Sequence, residues 1–298
     1  MIDISATLSF LVLGSDGQAG LALCQYFSER RVPYQGIATQ ECASLDLLAQ
    51  QIDTTEHRYV FNLLFEEPTG HSLAVIDHWT PLAETIATRC AQHQRGLFQL
   101  SSARVFSGKL ARAYSELDVP DPISPLGQQY WAIEQRTAEL CPQSILVRPG
   151  WLFSEYGTNF LTQLVDAAIG QQALNITGKL RGNPTDAHAL AKVLLAMAEQ
   201  LDCNAQEPAL WGTYHYGDSD ACSLFTFAKA AITAVKSMTE VQVETVEEGE
   251  TVTMVNTIAE PENSELACKK ILSTFGIKQR PWRRGIHDVL KSLYPSPS

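Results

Sequence analysis

The stretch LVLGSDGQAG, residues 11–20, places a glycine-rich turn directly after a short apolar run. That run, residues 7–13, has the continuous apolar character of a parallel strand buried on both faces. Gly14, Gly17 and Gly20 have the spacing G-x-x-G-x-x-G, and a helical pattern begins within the turn. Glycines at such a turn let the backbone approach a diphosphate, whose charge the helix N-terminus stabilises. A plain strand–helix turn is the alternative interpretation.

Strand-like and helix-like segments alternate on the C-terminal side of this turn. Apolar strand candidates occur at 32–38, 59–65, 97–102 and 144–153, with helical patterns at 81–94 and about 128–140. The alternation predicts an α/β fold with a doubly wound parallel sheet and helices on both faces. A glycine turn at the first strand of such a pattern favours a Rossmann-type dinucleotide site over a plain turn.

The pattern becomes less regular after about residue 150, which indicates a second, smaller domain. We predict a Rossmann-type nucleotide-binding domain over residues 1–150, to which a helix at 186–201 and a strand ending near 217 also belong. An interleaved α/β domain that binds substrate or a partner is predicted for 151–185 and 218–298. Its patterns are helices at 223–237 and 285–293 and an acidic strand-like segment, VQVETVEEGETVT.

Charge and composition exclude several classes of partner. The 298 residues are 45% hydrophobic and 18% charged, which is ordinary for a soluble globular protein. A formal net charge of −11 disfavours nucleic acid and anionic membrane as ligands, because both require a basic surface. The apolar stretch at the N-terminus has no positively charged region before it, so we expect no signal peptide and a cytoplasmic location.

The cysteines and histidines indicate neither disulfides nor a metal site. Seven cysteines are scattered singly, without a C-x-x-C pair. An odd number of isolated cysteines is typical of reduced thiols in a cytoplasmic protein. The seven histidines lack metal-ligand spacing, so we expect no metal.

The end of the second strand candidate normally selects between NAD and NADP. An acidic residue there binds the ribose hydroxyls of NAD, whereas an arginine binds the extra phosphate of NADP. Thr39 and Gln40 occupy these positions and are both neutral. The residues therefore favour neither cofactor. Asp46 is a candidate acceptor for an adenine amino group, and a solvated loop aspartate is the alternative.

Six motifs, in chain order, resemble those of the extended short-chain dehydrogenases, and among them the dTDP-4-dehydrorhamnose reductase family. They are LVLGSDGQAG (11–20), FNLL (61–64), LSSARVFSG (100–108), LVRPGWLFSEYGTNF (146–160), RGNPTD (181–186) and PENS (261–264). The resemblance covers nearly the whole chain. It implies a nicotinamide cofactor, NAD or NADP, in the first domain and a nucleotide-linked sugar in the second.

The resemblance also implies which residues contact each ligand. The cofactor contacts are Gly14, Asp16, Gly17, Gln18, Ala19, Gly20, Thr39, Gln40, Asp46, Leu47, Asn62, Leu63 and Ser101. The substrate contacts are Ser102, Arg104, Trp151, Asn159, Lys179, Arg181 and Glu260, the last standing where the family has an arginine. A partner protein, or a second copy of the chain in a homodimer, is a further candidate ligand.

The chain departs from the family where the chemistry is expected. Family members use a tyrosine as proton donor, and a lysine four residues later lowers the pKa of its phenol from about 10. In PLGQQYWAIE, residues 125–134, Tyr130 is followed at that spacing by Glu134, whose carboxylate would shift the phenol pKa the wrong way. Ser102 is the candidate for orienting a substrate carbonyl; a serine that caps a turn is the alternative.

A second register puts Tyr130 at the lysine position and Leu126 at the tyrosine position. The residues do not choose between the registers, but the span from Lys109 to Lys179 contains no lysine between its ends, so neither register has the pair. Two functional hypotheses follow. The first is a binding or regulatory protein that holds NAD(P), and a nucleotide sugar or protein partner, without ordinary hydride transfer. The second is an active NAD(P)-dependent reductase or epimerase with a rearranged proton donor.

Overall fold

The computed structural model describes residues 8–66, 78–204, 207–249 and 261–295 of the protein. The strands are β1 (Phe10–Leu13), β2 (Tyr34–Ile37), β3 (Tyr59–Asn62), β4 (Gly96–Leu100), β5 (Ser144–Pro149), β6 (Trp151–Phe153), β7 (Ala173–Thr177), β8 (Arg181–Gly182), β9 (Pro184–Asp186), β10 (Gly212–Tyr216), β11 (Cys222–Ser223), β12 (Thr245–Gly249) and β13 (Asn263–Ser264). The helices are α1 (Gln18–Arg30), α2 (Leu45–Thr54), α3 (Trp79–Gln92), α4 (Pro125–Leu140), α5 (Phe160–Gly170), α6 (Ala187–Cys203), α7 (Leu224–Val235), α8 (Lys269–Phe275) and α9 (Trp282–Leu293).

A six-stranded parallel sheet is the largest sheet in the described residues. Its strand order is β2-β1-β3-β4-β5-β10. Side chains of β1 alternate between two cores, with Phe10 and Val12 on one face and Leu11 and Leu13 on the other. Because both faces are covered, the strand has a continuous apolar sequence. The predicted fold class, a Rossmann-type α/β sheet, is confirmed.

The chain changes direction across the sheet at β1. β2 pairs with one side of β1, and β3 pairs with the other. In an open parallel sheet, ligands bind in the crevice beyond the carboxyl ends of the strands at such a switch point. The fold therefore puts the glycine turn, which follows β1, at the expected position for a ligand. Helix α6 packs against α1 on the same side of the sheet, and β10 forms the edge next to β5.

A second core lies outside the large sheet. It gathers buried side chains from α5, α7, α9 and β7, among them Leu164, Leu174, Phe227 and Trp282. The acidic segment predicted as a strand is β12, which pairs in parallel with β7 over the residues that the structure describes. Residues 250–253 of that segment lie outside the described residues.

The segment predicted as one strand at 144–153 is two strands that separate at Gly150. β5 stays in the large sheet, whereas β6 pairs with β9. A Cβ atom at Gly150 would lie 2.1 Å from the carbonyl oxygen of Asn183, so only glycine permits this approach. The bend directs the chain after the sheet towards the second core and across the carboxyl ends of the strands.

None of the helices within the described residues combines the length and apolar character that crossing a bilayer requires. All seven cysteines are described, and each is a free thiol. Five of them are buried, and burial raises the pKa of these thiols. The described residues also contain no group of three or more His, Cys, Asp or Glu side chains arranged to hold a metal ion.

Candidate ligand-binding site

A cavity of about 460 Å³ lies where the carboxyl ends of the central strands face the chain after Gly150. Its lining combines the glycine turn, the ends of β3 and β4, one side chain of α4, and residues 149–163. The polar lining residues include Asp16, Gln18, Glu66, Ser101, Ser102, Arg104, Tyr130, Asn159 and Gln163. The hydroxyl of Ser154 donates a hydrogen bond to the side-chain carbonyl of Gln18 at 2.9 Å, which ties the two sides of the cavity together.

Close approaches surround all three glycines of the turn, by backbone atoms at Gly14 and Gly20 and by a side chain at Gly17. Gly14 has φ = 77°, a left-handed conformation that favours glycine. A Cβ atom at Gly20 would lie 2.0 Å from the carbonyl oxygen of Gly14, so the first turn of α1 packs directly on the loop. A Cβ atom at Gly17 would lie 3.0 Å from both carboxylate oxygens of Glu66. The turn thus places the N-terminus of α1 at the cavity. The absence of a side chain at Gly17 leaves space above it, which the carboxylate of Glu66 occupies.

Glu66 lines the cavity and was missed by the sequence analysis. Its carboxylate accepts hydrogen bonds from the backbone N–H of Gln18 at 2.6 Å and of Ala19 at 2.5 Å. Burial raises the pKa of Glu66 to about 7, although these hydrogen bonds act in the opposite direction. A signal was available, because Glu66 follows the third strand, whose carboxyl end lies beside the glycine turn in a parallel sheet. An anion therefore fits the N-terminus of α1.

Asp16 extends from the turn to the end of β2. Its Oδ1 accepts hydrogen bonds from the backbone N–H and from the hydroxyl of Thr39, each at 2.7 Å. Burial raises the pKa of Asp16, but the hydrogen bonds from Thr39 outweigh this effect and hold the pKa below its ordinary value. A charged carboxylate consequently lies at the position that selects the cofactor, although both residues at the strand end itself are neutral.

The other predicted cofactor residues have varied positions. Gln40, Asp46 and Leu47 are exposed on the surface after β2 and lie outside the cavity lining. Asn62 is fully buried, and its amide donates to the side chain of Gln99 at 2.8 Å. Leu63 is also buried, with its backbone packed against Gly14. Asn62 and Leu63 therefore shape the floor beneath the turn.

Ser101 belongs to a buried polar network centred on Glu134. The Glu134 carboxylate accepts hydrogen bonds from the Ser101 hydroxyl at 2.5 Å and from Nε and Nη2 of Arg148 at 2.8 and 2.5 Å. Both members of this ion pair are almost completely buried. The guanidinium of Arg148 offsets the charge of the Glu134 carboxylate. The effect of Glu134 on the Tyr130 phenol stays a prediction.

His215 completes this network on the far side of Arg148. Burial, followed by the positive charge of Arg148, lowers the pKa of His215 to about 3, so its ring is neutral. Its Nε2 lies 3.2 Å from Nη1 of Arg148, which can only donate, and therefore accepts the hydrogen bond. Its Nδ1 then donates to the carbonyl oxygen of Tyr114 at 3.1 Å.

Tyr130 is the residue of α4 that reaches the cavity. Its hydroxyl donates a hydrogen bond to the carbonyl oxygen of Phe65 at 2.8 Å, and its ring packs against Trp79. Leu126 and Glu134, on the neighbouring turns of the helix, are buried and do not contribute to the described lining. The hydroxyl of Tyr130 is thus held at Phe65, in the segment that follows β3 and directly before Glu66.

Ser102 and Arg104 line the cavity at the end of β4. The Ser102 hydroxyl accepts a hydrogen bond from the backbone N–H of Arg104 at 3.2 Å and caps a short 3₁₀ turn over 103–105. This bond leaves the proton of the hydroxyl for another acceptor. Arg104 is buried and is the arginine of the described lining.

Trp151 and Asn159 line the opposite wall. Trp151 packs so closely on Gly182 that a Cβ atom there would lie 2.6 Å from the indole ring. Asn159 caps α5: its side-chain oxygen accepts from the N–H of Leu161 and of Thr162 at 3.0 and 3.2 Å. Its side-chain amide donates to the carbonyl of Ser154 at 2.8 Å. Asn159 therefore orders the wall through both ends of its side chain.

Two further predicted substrate residues with formal charge lie outside the lining. Lys179 and Arg181 are exposed on the segment around β8 and do not contribute to the described lining. The guanidinium of Arg181 lies 4.0 Å from the carboxylate of Glu265. Glu260 lies outside the described residues. Within the described lining, the guanidinium comes from Arg104 instead.

The cavity, its glycine turn and the fold agree with a match to a known family. Residues 8–294 match the family model described as the RmlD substrate binding domain. The chain belongs to this family. The resemblance to extended short-chain dehydrogenases is thereby confirmed. Within the RmlD family, the dTDP-4-dehydrorhamnose reductase of Aggregatibacter actinomycetemcomitans is 24% identical over 94% of this chain and 97% of its own length. That of Sinorhizobium fredii is 27% identical over 66% of each chain.

Solved structures show the same fold. A dTDP-4-dehydrorhamnose reductase from Bacillus anthracis str. Ames, in complex with NADP, superposes with a TM-score of 0.82 at 20% identity, covering 96% of this chain and 100% of that one. A dTDP-glucose 4,6-dehydratase from the same organism, in complex with NAD, gives a TM-score of 0.71 at 14% identity, covering 95% and 96%. At these identities the likeness establishes the fold.

Proposed function

We propose that this protein is an NAD(P)-dependent reductase of a keto sugar attached to a nucleotide. The match over nearly the full length of a dTDP-4-dehydrorhamnose reductase supports the proposal. The observation that carries it is the convergence of Ser102 and Tyr130 on the cavity that also contains the glycine turn. Reduction of a carbonyl needs a hydride donor and a proton donor at one place, and this cavity brings the residues for both together.

The glycine turn fits a dinucleotide. Its backbone N–H groups at Gln18 and Ala19 hold a carboxylate, and Gly17 offers the space that a diphosphate needs. These residues would hold the diphosphate, and Asp16 with Thr39 would contact the adenosine ribose. A bound NAD(P)H would supply the hydride.

Ser102 and Tyr130 would handle the sugar carbonyl. The proton of the Ser102 hydroxyl is available for a substrate oxygen, because that hydroxyl accepts rather than donates in its bond with Arg104. Tyr130 would release its hydrogen bond to Phe65 and donate its proton to the same oxygen. The guanidinium of Arg104 supplies positive charge for the phosphates of the nucleotide sugar.

Neutralisation of Glu134 supports an active enzyme over one that has lost its chemistry. A disabled phenol was expected for two reasons, the absence of a lysine and the presence of a carboxylate at the lysine spacing, and the second is the one that the ion pair weakens. Arg148 and Ser101 bind that carboxylate inside the protein, and Tyr130 makes its hydrogen bond to Phe65 instead.

One observation favours a second candidate, a protein that binds the two ligands without hydride transfer. No lysine occurs between Lys109 and Lys179, so the stretch that contains Tyr130 has no ammonium to lower the phenol pKa. In this alternative, the Tyr130 hydroxyl would continue to donate its hydrogen bond to the carbonyl oxygen of Phe65 and would accept a hydrogen bond from the ligand.

Turnover decides between the two candidates. Oxidation of NADH and NADPH by 4-keto nucleotide sugars would be followed for the wild type, Ser102→Ala, Tyr130→Phe and a control, Tyr34→Phe, whose hydroxyl contacts Ser28 away from the cavity. We expect Tyr130→Phe to lose about 100-fold in kcat, as for loss of a general acid, and Tyr34→Phe to match the wild type. A wild type that binds the sugar but shows no turnover would establish the second candidate.

A further inference from the structure

The carboxylate of Glu66 occupies the anion site of the glycine turn. Its two oxygens accept the N–H groups of Gln18 and Ala19, and both lie 3.0 Å from the position of a Cβ atom at Gly17. In a dinucleotide site the second glycine provides room for the diphosphate, and the helix N-terminus stabilises its charge. The side chain of Glu66 therefore fills the space and uses the donors that a diphosphate requires.

The two anions exclude each other for three reasons. Each N–H group at the start of α1 donates one hydrogen bond, so the donors bound to Glu66 are not available to a phosphate oxygen. The space above Gly17 is already filled, since the carboxylate oxygens of Glu66 lie 3.0 Å from the position that a Cβ atom would take there. A phosphate beside an ionised carboxylate also meets repulsion, to which the nearby charge of Asp16 adds.

The contacts of Glu66 are of a kind that a ligand can replace. Its hydrogen bonds come from backbone N–H groups, whose positions are fixed by the turn and by α1. Phosphate oxygens can accept the same bonds, so displacement leaves no buried donor without an acceptor. Glu66 also lines the cavity, which gives the displaced side chain access to the cavity space.

We propose that Glu66 is an internal competitor of the dinucleotide, whose carboxylate has to leave the N-terminus of α1 before the diphosphate binds. This inference rests on the proposed function in that the competing ligand is NAD(P). The apparent affinity is then reduced by the fraction of molecules in which the turn is open. Glu66 thereby sets the cofactor concentration at which the protein becomes loaded.

Calorimetry on the full-length protein tests the competition with two probes, inorganic pyrophosphate and the dinucleotides NADH and NADPH. The variants are Glu66→Ala, which empties the anion site, and Glu66→Gln, which keeps the shape without the charge. The control is Glu29→Gln, which removes one carboxylate from the exposed end of α1, where it contacts Gln25. We expect Glu66→Ala to bind each probe at least about tenfold more tightly than the wild type. Glu66→Gln, whose side chain still fills the space, should gain less, and Glu29→Gln should equal the wild type.

A second substitution tests whether the gain in affinity arises in the space above Gly17. Adding Gly17→Val to Glu66→Ala should cancel the increase in pyrophosphate affinity, because the valine side chain fills the vacated space. If Glu66→Ala binds pyrophosphate no more tightly than the wild type, the competition does not exist, whatever the dinucleotides do. If it gains affinity for pyrophosphate while neither NADH nor NADPH binds any variant, Glu66 still competes with an anion at the N-terminus of α1, but the dinucleotide is not its ligand and the proposed reductase function fails.

Discussion

Glu134 and Glu66 are two carboxylates next to one cavity, and they are held in opposite ways. Glu134 is fully buried, pairs with the guanidinium of Arg148, and accepts a hydrogen bond from the Ser101 hydroxyl. Glu66 lines the cavity and is bound by backbone N–H groups at the start of α1. A carboxylate that is paired with a buried cation is part of the core, because leaving would strand the cation. A carboxylate on backbone donors can give way to another anion.

The comparison also separates residue type from role. Glu134 occupies the position of the family's lysine, where the sequence suggests that proton donation by Tyr130 is impaired, and in the structure it forms a buried ion pair. Glu66 belongs to none of the six family motifs, yet its carboxylate occupies the anion site at the N-terminus of α1. Which of the two carboxylates affects the ligand is decided by the partner each one finds in three dimensions.

The largest effect is expected from breaking the buried ion pair. Arg148→Met leaves the Glu134 carboxylate buried without a cation, and should lower the free energy of unfolding by about 3–5 kcal/mol. Denaturation with urea measures this loss. The matched control is Arg136→Met, which removes an arginine on the surface of α4 that contacts Glu84 and Glu139. We expect the control to unfold at nearly the same urea concentration as the wild type.

Glu134→Lys sharpens the same comparison, because it restores a lysine at the spacing of the family motif. The new ammonium would face Arg148, whose guanidinium lies 2.5 Å from the present carboxylate. We therefore expect the variant to lose its cooperative unfolding transition rather than gain turnover. A folded Glu134→Lys protein with raised turnover would contradict this account of Glu134 as a structural residue.

The fold was predictable from the sequence, because parallel strands buried on both faces give continuous apolar runs between helical patterns. The glycine turn was predictable because the spacing of its glycines after an apolar run is itself a pattern in the sequence, and the approach of Gly20 to the carbonyl oxygen of Gly14 is local. The contacts of Glu134 and Glu66 were not predictable from local patterns. Glu134 is 14 residues from Arg148, and Glu66 is 48 from Gln18, so only the folded sheet brings these partners together. The break at Gly150 likewise depends on a distant carbonyl, that of Asn183.

A smaller effect is expected on the pH dependence of stability, which the two carboxylates should affect differently. The folded-state pKa of Glu66 is about 7, above its ordinary value of 4.5. The unfolded chain therefore releases this proton first, and the stability that neutral Glu66 contributes is present below about pH 4.5 and lost as the pH rises through 7. Glu66→Gln mimics the neutral form and should not show the loss.

We expect the free energy of unfolding of Glu66→Gln, relative to the wild type, to rise by about 2 kcal/mol between pH 4.5 and 8. Urea denaturation at a series of pH values measures the difference. Asp218, whose pKa burial raises to about 7, titrates in the same range in both proteins and so cancels. A difference that stays constant with pH would show that Glu66 is charged throughout and is held as firmly as Glu134.

The smallest effect is expected at a third carboxylate, Asp16, which decides whether the anion site discriminates between cofactors. Thr39 and Gln40 are neutral and predict no preference, but Asp16 brings its charge to Thr39 from the glycine turn. A carboxylate at this strand end accepts hydrogen bonds from a ribose and repels a 2′-phosphate. Because Asp16 is partly exposed, solvent weakens the repulsion, and we expect NAD to be preferred by about 1 kcal/mol, or roughly fivefold.

Dissociation constants for NADH and NADPH should become equal in Asp16→Asn and stay unequal in Glu41→Gln, whose carboxylate contacts Ala38 nearby. A preference of about a hundredfold for either cofactor would require a charge clamp stronger than this carboxylate. Arg58 does not provide one, since it pairs with Asp202 at the opposite end of β3.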